Sequence, residues 1–159
     1  MRIVLFEPEI PPNTGNVARL CAATGTELNL VEPLGFKLEN RYLKRAGLDY
    51  WPNVTMHVWP DWHAYAGRED RPSDERWIMA SAKNRELSRP VHAFAFRPSD
   101  SLVFGPETRG LPDEILKLSA HHVRIPMRPG GVRSINLSTA VGIVLYAAIA
   151  SCGVPGDWF

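Results

Sequence analysis

The apolar residues of this chain fall into short unbroken runs, beginning with Ile3-Val4-Leu5-Phe6, and each run gives way to turn residues and then to helical spacing. A four-residue apolar run without alternation suits a strand buried on both faces, and such a strand requires cover on both sides of its sheet. Strands are expected at residues 3–6, 28–31, 54–58, 77–80, 101–104 and 123–125. Helices are expected from Asn13 or Thr14, both good N-caps, to Thr24, then at 40–46, 61–66 and 112–118, and from Leu137 to about Ser151. Pro112 stands at an allowed first-turn position. Alternating strands and helices imply an α/β fold with a mostly parallel sheet flanked by helices. At 159 residues, with 45% hydrophobic residues and no repeats or linker, one domain spanning 1–159 is expected. The polar stretch 67–76 reads as a surface loop.

The last helix departs from this pattern. Ala140, Val141, Gly142, Ile143, Val144, Leu145, Ala147, Ala148 and Ile149 leave it no polar face, so it should be buried on all sides. A homodimer through this C-terminal helix satisfies that demand; a groove in its own domain is the alternative. The longest apolar stretch, 141–152, falls short of the about 20 residues that span a bilayer. The apolar run at the N-terminus is likewise too short for a signal peptide, and a soluble, cytoplasmic protein with no membrane partner is expected. Cys21 and Cys152 lack metal or redox spacing and read as buried free thiols.

Three clusters of Gly, Asn and charged residues abut these apolar runs. In Pro11-Pro12-Asn13-Thr14-Gly15-Asn16-Val17-Ala18-Arg19, Asn16 and Arg19 share one face of an opening helix. A positive helix end beside a guanidinium can receive a phosphate; alternatively Asn13 only caps the helix and Arg19 is solvated. In Phe104-Gly105-Pro106-Glu107-Thr108-Arg109-Gly110, a strand delivers a loop to the end of the sheet where α/β folds bind ligands. Glu107 there could pair with Arg19 or Arg109, or be an ordinary surface carboxylate. The third cluster runs from Ile125-Pro126-Met127 through an Arg-Gly loop to Ser134-Ile135-Asn136-Leu137-Ser138, with Ser134 or Asn136 as N-cap candidates. Arg124, Arg128 and Arg133 crowd positive charge around that loop, and the apolar walls suit a ligand with a flat base and a polar tail.

Other templates fail. The five histidines show no paired ligand spacing, so no metal site is expected, and neither a nucleophile elbow nor a phosphate-binding P-loop occurs. The net charge of +1 provides no global basic field, so any nucleic-acid contact must be local or built by pairing subunits.

Taken together, the clusters resemble the three signature motifs of the SPOUT RNA methyltransferases, most closely the small TrmL (YibK-like) branch, which methylates the 2′-hydroxyl of the wobble cytidine or uridine of tRNA. The likeness runs from Leu5-Phe6-Glu7-Pro8-Glu9-Ile10 through Arg45-Ala46-Gly47-Leu48-Asp49-Tyr50 to Asn136-Leu137-Ser138. It implies an α/β knot with a C-terminal trefoil knot, a homodimer, S-adenosyl-L-methionine as methyl donor and the tRNA anticodon loop as partner. Carried over by position, Ala80, Gly105, Ile125 and Ser134 are the expected donor contacts, and Asn16, Arg19, Glu107 and Asn136 the polar catalytic-site residues. The string Ser81-Ala82-Lys83-Asn84 departs from the branch, and the loop 128–133 is about one residue longer than usual in it. Arg19 is expected to orient the target phosphate or 2′-oxygen, because a guanidinium stays protonated and is a poor base. Lys37, Arg41, Lys44 and Arg45 are candidates for a phosphate track. The rivals are ribosomal RNA or another tRNA position as substrate, and a non-catalytic RNA-binding module.

Overall fold

The computed structural model describes residues 1–38, 53–82 and 86–158. Along the chain run β1 (Arg2–Phe6), α1 (Pro11–Thr24), β2 (Glu27–Val31), β3 (Met56–Trp59), α2 (Trp62–Ala66), β4 (Trp77–Ala80), β5 (Arg89–Pro90), β6 (Ser101–Phe104), α3 (Asp113–Leu116), β7 (His122–Arg124) and α4 (Leu137–Cys152). Short 3-10 turns add Val91–Ala93 and Gly156–Trp158. The strands form one sheet in the order β3-β2-β1-β6-β4-β7-β5, and every pairing is parallel. The register places Ile3 between Leu28 and Leu102, so successive side chains of β1 serve opposite faces.

That alternation builds two cores. Ile3, Leu5, Leu28, Leu30, Ile78, Leu102 and Phe104 point to the face covered by α1 and α4. Val4, Phe6, Val31, Met79 and Val103 point to the other, where Tyr65 of α2 and Ile115 and Leu116 of α3 close over them. The unbroken apolar runs therefore have the cause expected of them, burial on both faces.

Several boundaries differ from expectation. Helix α1 begins at Pro11, with Ile10 as N-cap and no side-chain cap. Two prolines already fix the dihedral angles of a first turn and lack the N–H groups a cap would satisfy, so neither Asn13 nor Thr14 is needed there. β3 and β7 are displaced along the chain from residues 54–58 and 123–125, and α3 is shorter than 112–118, with Pro112 as its N-cap and Lys117 as its C-cap. The expected helix at 40–46 lies outside the described residues, as do Lys83 and Asn84.

The stretch 67–76 is the expected loop, exposed at most of its positions, with two exceptions. Arg68 and Glu75 are buried, and the Glu75 carboxylate gathers Arg68, Arg71, Trp77 and Ser101. The guanidinium of Arg68 stacks over the Tyr65 ring at 4.2 Å, and the Tyr65 hydroxyl donates to Ser101 Oγ at 2.9 Å. Composition alone makes this stretch look like a solvated loop; mutual pairing is what allows its charges inside.

Within this chain α4 is buried on one side. Val141, Val144, Leu145, Ala148 and Ile149 pack on the sheet and α1, whereas Ile143 is 40% and Tyr146 52% exposed. Of the two thiols only Cys21 is buried; Cys152, at the end of α4, is exposed.

Candidate active site

In an all-parallel sheet the loops that follow the strands collect at one end. Here the loops after β1, β6 and β7 meet there around a cavity of about 640 Å³. Its walls include Phe104, Ile125, Met127, Leu137 and Val144, and its polar rim includes Glu107, Arg109, Arg133 and Ser134.

Glu107 ties the first two loops together. One carboxylate oxygen accepts from the Glu9 backbone N–H at 2.8 Å; the other accepts from Ile10 N–H at 3.2 Å and from Asn13 Nδ2 at 3.0 Å. Glu9 returns the exchange, accepting from the backbone N–H and hydroxyl of Thr108 at 3.0 and 2.9 Å. Arg109 pairs with Glu7, a residue held at φ 48, and not with Glu107. A non-glycine residue in that left-handed region is uncommon and tends to occur at functional sites.

The expected phosphate receptor at the start of α1 takes a different form. Pro11 and Pro12 have no N–H, and the N–H groups of Asn13 and Thr14 both bond the Ile10 carbonyl. The anion seated at this helix start is the chain's own Glu107, bound by the amides just ahead of the helix.

Asn13 then reaches the third loop. Its Oδ1 accepts from Asn136 Nδ2 at 2.8 Å, while Asn136 Oδ1 caps α4 by accepting from Ser138 and Thr139 N–H. One chain of side chains, Glu107–Asn13–Asn136, thus fixes the three loops relative to one another. Gly105 sets how tightly the β6 loop folds: a Cβ there would stand 2.2 Å from the Leu111 backbone nitrogen. Gly110 closes the loop at φ 68, its N–H donating to the Pro106 carbonyl at 2.8 Å.

Ala80, Gly105, Ile125 and Ser134 all line the cavity, as do Glu107 and Asn136. Asn16 and Arg19 do not; both are exposed on α1, away from its buried side. Asn13, expected only as a helix cap, also lines the cavity. The signal was present, since an asparagine following two prolines falls inside the helix, where a buried amide must find partners of its own.

Residues 1–146 match the SpoU rRNA Methylase family. The chain is 46% identical, over 156 residues and 97% of each protein, to a Burkholderia ambifaria protein named tRNA (cytidine(34)-2'-O)-methyltransferase. A solved structure from work on the 2-OH methylation of C/U34 on tRNA superposes with a TM-score of 0.85 at 45% identity, covering 94% of each chain. An AdoMet-bound rRNA methyltransferase from Sinorhizobium meliloti shares the fold, with a TM-score of 0.81 at 21% identity over 94% of this chain and 55% of that one.

Proposed function

Because the chain belongs to the SpoU methylase family, we propose that it is a tRNA 2′-O-methyltransferase that uses S-adenosylmethionine to methylate the ribose of the cytidine or uridine at position 34. The observation that carries this reading is a cavity clasped by all three loops in a chain 46% identical, across nearly its whole length, to an enzyme of that name.

The cavity suits the donor. Its volume lies within the range of about 300–1,000 Å³ common for small-molecule sites. Apolar walls at Ile125, Met127, Leu137 and Val144 fit an adenine face, and the rim offers a hydroxyl and guanidinium groups to the ribose and amino-acid portions. Ala80, Gly105, Ile125 and Ser134 are assigned to hold it. When bound, the donor supplies an electrophilic methyl group carried on a sulfonium.

The chain's own contribution is placement. Glu107 is a positioning residue, because its oxygens are already engaged by the Glu9 and Ile10 amides and by Asn13. Asn136 acts likewise, spending its carbonyl on the α4 cap and its amide on Asn13. Arg19, with Asn16 beside it, is assigned to orient the target phosphate or 2′-oxygen. The hydroxyl proton leaves to phosphate or water, since the guanidinium has no acceptor capacity.

Ile143 and Tyr146 present an apolar surface on α4, next to α1, which supports a homodimer through that helix. A Tyr146→Asp variant that sediments as a monomer would bear this out; an unchanged sedimentation coefficient would not. The C-terminal trefoil knot is proposed from the resemblance of the three loop motifs to the SPOUT methyltransferases. No helix among the described residues is long and apolar enough to cross a membrane; a cytoplasmic location is proposed from the tRNA substrate alone.

Incubation of the protein with total tRNA and labelled donor, followed by nucleoside mapping, tests the reaction. Label in 2′-O-methylcytidine or 2′-O-methyluridine at position 34 is expected. Label only in ribosomal RNA would move the substrate, and no label in any RNA would remove the enzyme reading. Single-turnover methylation by Arg19→Ala at the wild-type rate would remove that residue's role.

A further inference from the structure

Residues 115–156 contain neither Asp nor Glu, yet they carry Lys117, Arg124, Arg128 and Arg133. In a chain of net charge +1, this segregation concentrates positive potential where the formal total shows none. The cations around the cavity are not equivalent. Arg109 is engaged by Glu7, and Arg124 donates to the Ser88 carbonyl. The side chains of Arg128 and Arg133, on the loop between β7 and α4, have no ion-pair or hydrogen-bond partner among the described residues. The three carboxylates on the cavity loops are already committed, Glu7 to Arg109, Glu9 to Thr108 and Glu107 to amide groups.

The loop that carries them is open to solvent. Residues 128–134 are all exposed, Gly130 adopts φ 76, and Val132 between the arginines is 68% exposed. Arg133 lines the cavity, whereas Arg128 stands outside its lining. Two uncompensated guanidinium groups flanking an exposed apolar side chain match the chemistry of an unstacked single-stranded nucleotide, with a phosphate for each charge and an apolar sugar or base face between.

Resting on the reaction proposed above, we infer that the loop 128–133 is an RNA-gripping element: Arg128 and Arg133 bind backbone phosphates flanking the target nucleotide, and Val132 packs against that nucleotide's exposed face. The donor also carries a carboxylate, which is the other anion these guanidinium groups could receive. Arg128 separates the two, because it lies outside the cavity that would hold the donor.

The test compares the full-length wild-type protein with Arg128→Ala and Arg128→Lys. It measures total-tRNA binding at several salt concentrations by filter retention and S-adenosylmethionine binding by calorimetry. Arg128→Ala is expected to weaken tRNA binding by roughly three- to tenfold at 0.1 M salt and to lower the salt-dependence slope by about 1, with donor affinity unchanged. Arg128→Lys should restore the slope, because the point charge is kept. Wild-type tRNA affinity and slope in Arg128→Ala would overturn the inference, as would a loss confined to donor affinity. Wild-type protein that binds tRNA without methylating it would sink the proposed reaction while leaving this binding comparison intact.

Discussion

Two glutamates organise opposite ends of the sheet, and they hold their surroundings with different partners. Glu75, ahead of β4, is fully buried and takes Arg68, Arg71 at 3.0 Å and Trp77 Nε1 at 3.1 Å. Glu107, behind β6, is half-buried and takes two backbone amides and one side-chain amide. A carboxylate sealed from water needs formal opposite charge to offset desolvation, whereas one beside an open cavity can be satisfied by neutral dipoles. The closed end is therefore a charge-paired plug that sets stability. The open end is a dipole-fastened frame that leaves Arg128 and Arg133 uncommitted.

The contrast breaks most visibly at Glu75. Glu75→Ala leaves the buried Arg68 with only the exposed Asp70, at 3.3 Å, as a carboxylate partner and is expected to cost about 3–5 kcal/mol of folding free energy by denaturant titration. A cost under about 1 kcal/mol would mean that the plug is only incidental to stability. At the other end, Glu107→Gln turns an amide donor toward backbone N–H groups and is expected to cost about 1–3 kcal/mol. Donor affinity measured by calorimetry should fall with it, because the loops bordering the cavity lose their tie; equal donor affinity would uncouple the clasp from the site. Asn136→Ala removes both the α4 cap and the link to Asn13, with about 0.5–2 kcal/mol expected in stability.

The smallest effect concerns the thiols. Burial pushes the Cys21 thiol up to about 12, while Cys152 is exposed. A thiol-specific reagent should label one cysteine per native chain and two after unfolding. The folded state keeps the Cys21 proton where an unfolded thiol, near 9.0, loses it. That group's contribution to stability is present below pH 9.0 and declines as pH rises from there toward about 12. Two labels in the native protein would show that α1 opens.

The element order of the described residues was legible where strands coincide with apolar runs bounded by turn chemistry; the two-residue β5, Arg89–Pro90, has no apolar run and is not among the expected strands. The site was legible to the extent that its motifs sit at strand ends, which is how Ala80, Gly105, Ile125 and Ser134 come to line one cavity. The internal wiring was hidden. Nothing local in the sequence says that Glu107 will bond Asn13, 94 positions away, instead of a nearby arginine. The buried cluster at 67–76 was equally opaque, because polar composition predicts exposure until partners on other strands are known. Helix α1 was misread at its start for a local reason: asparagine and threonine are good caps, but Pro11 and Pro12 had already begun the turn.

The contact between Asn13 and Asn136 joins residues 123 positions apart. A ribosome making this protein therefore releases the first asparagine long before the second exists, and the Glu107 partner arrives in between. Until Asn136 emerges, the growing polypeptide holds two sides of a frame with no third, so the capacity to bind a methyl donor arises only after that residue has been made. Termination between β7 and that residue yields a product that has every strand of the sheet and none of the grip.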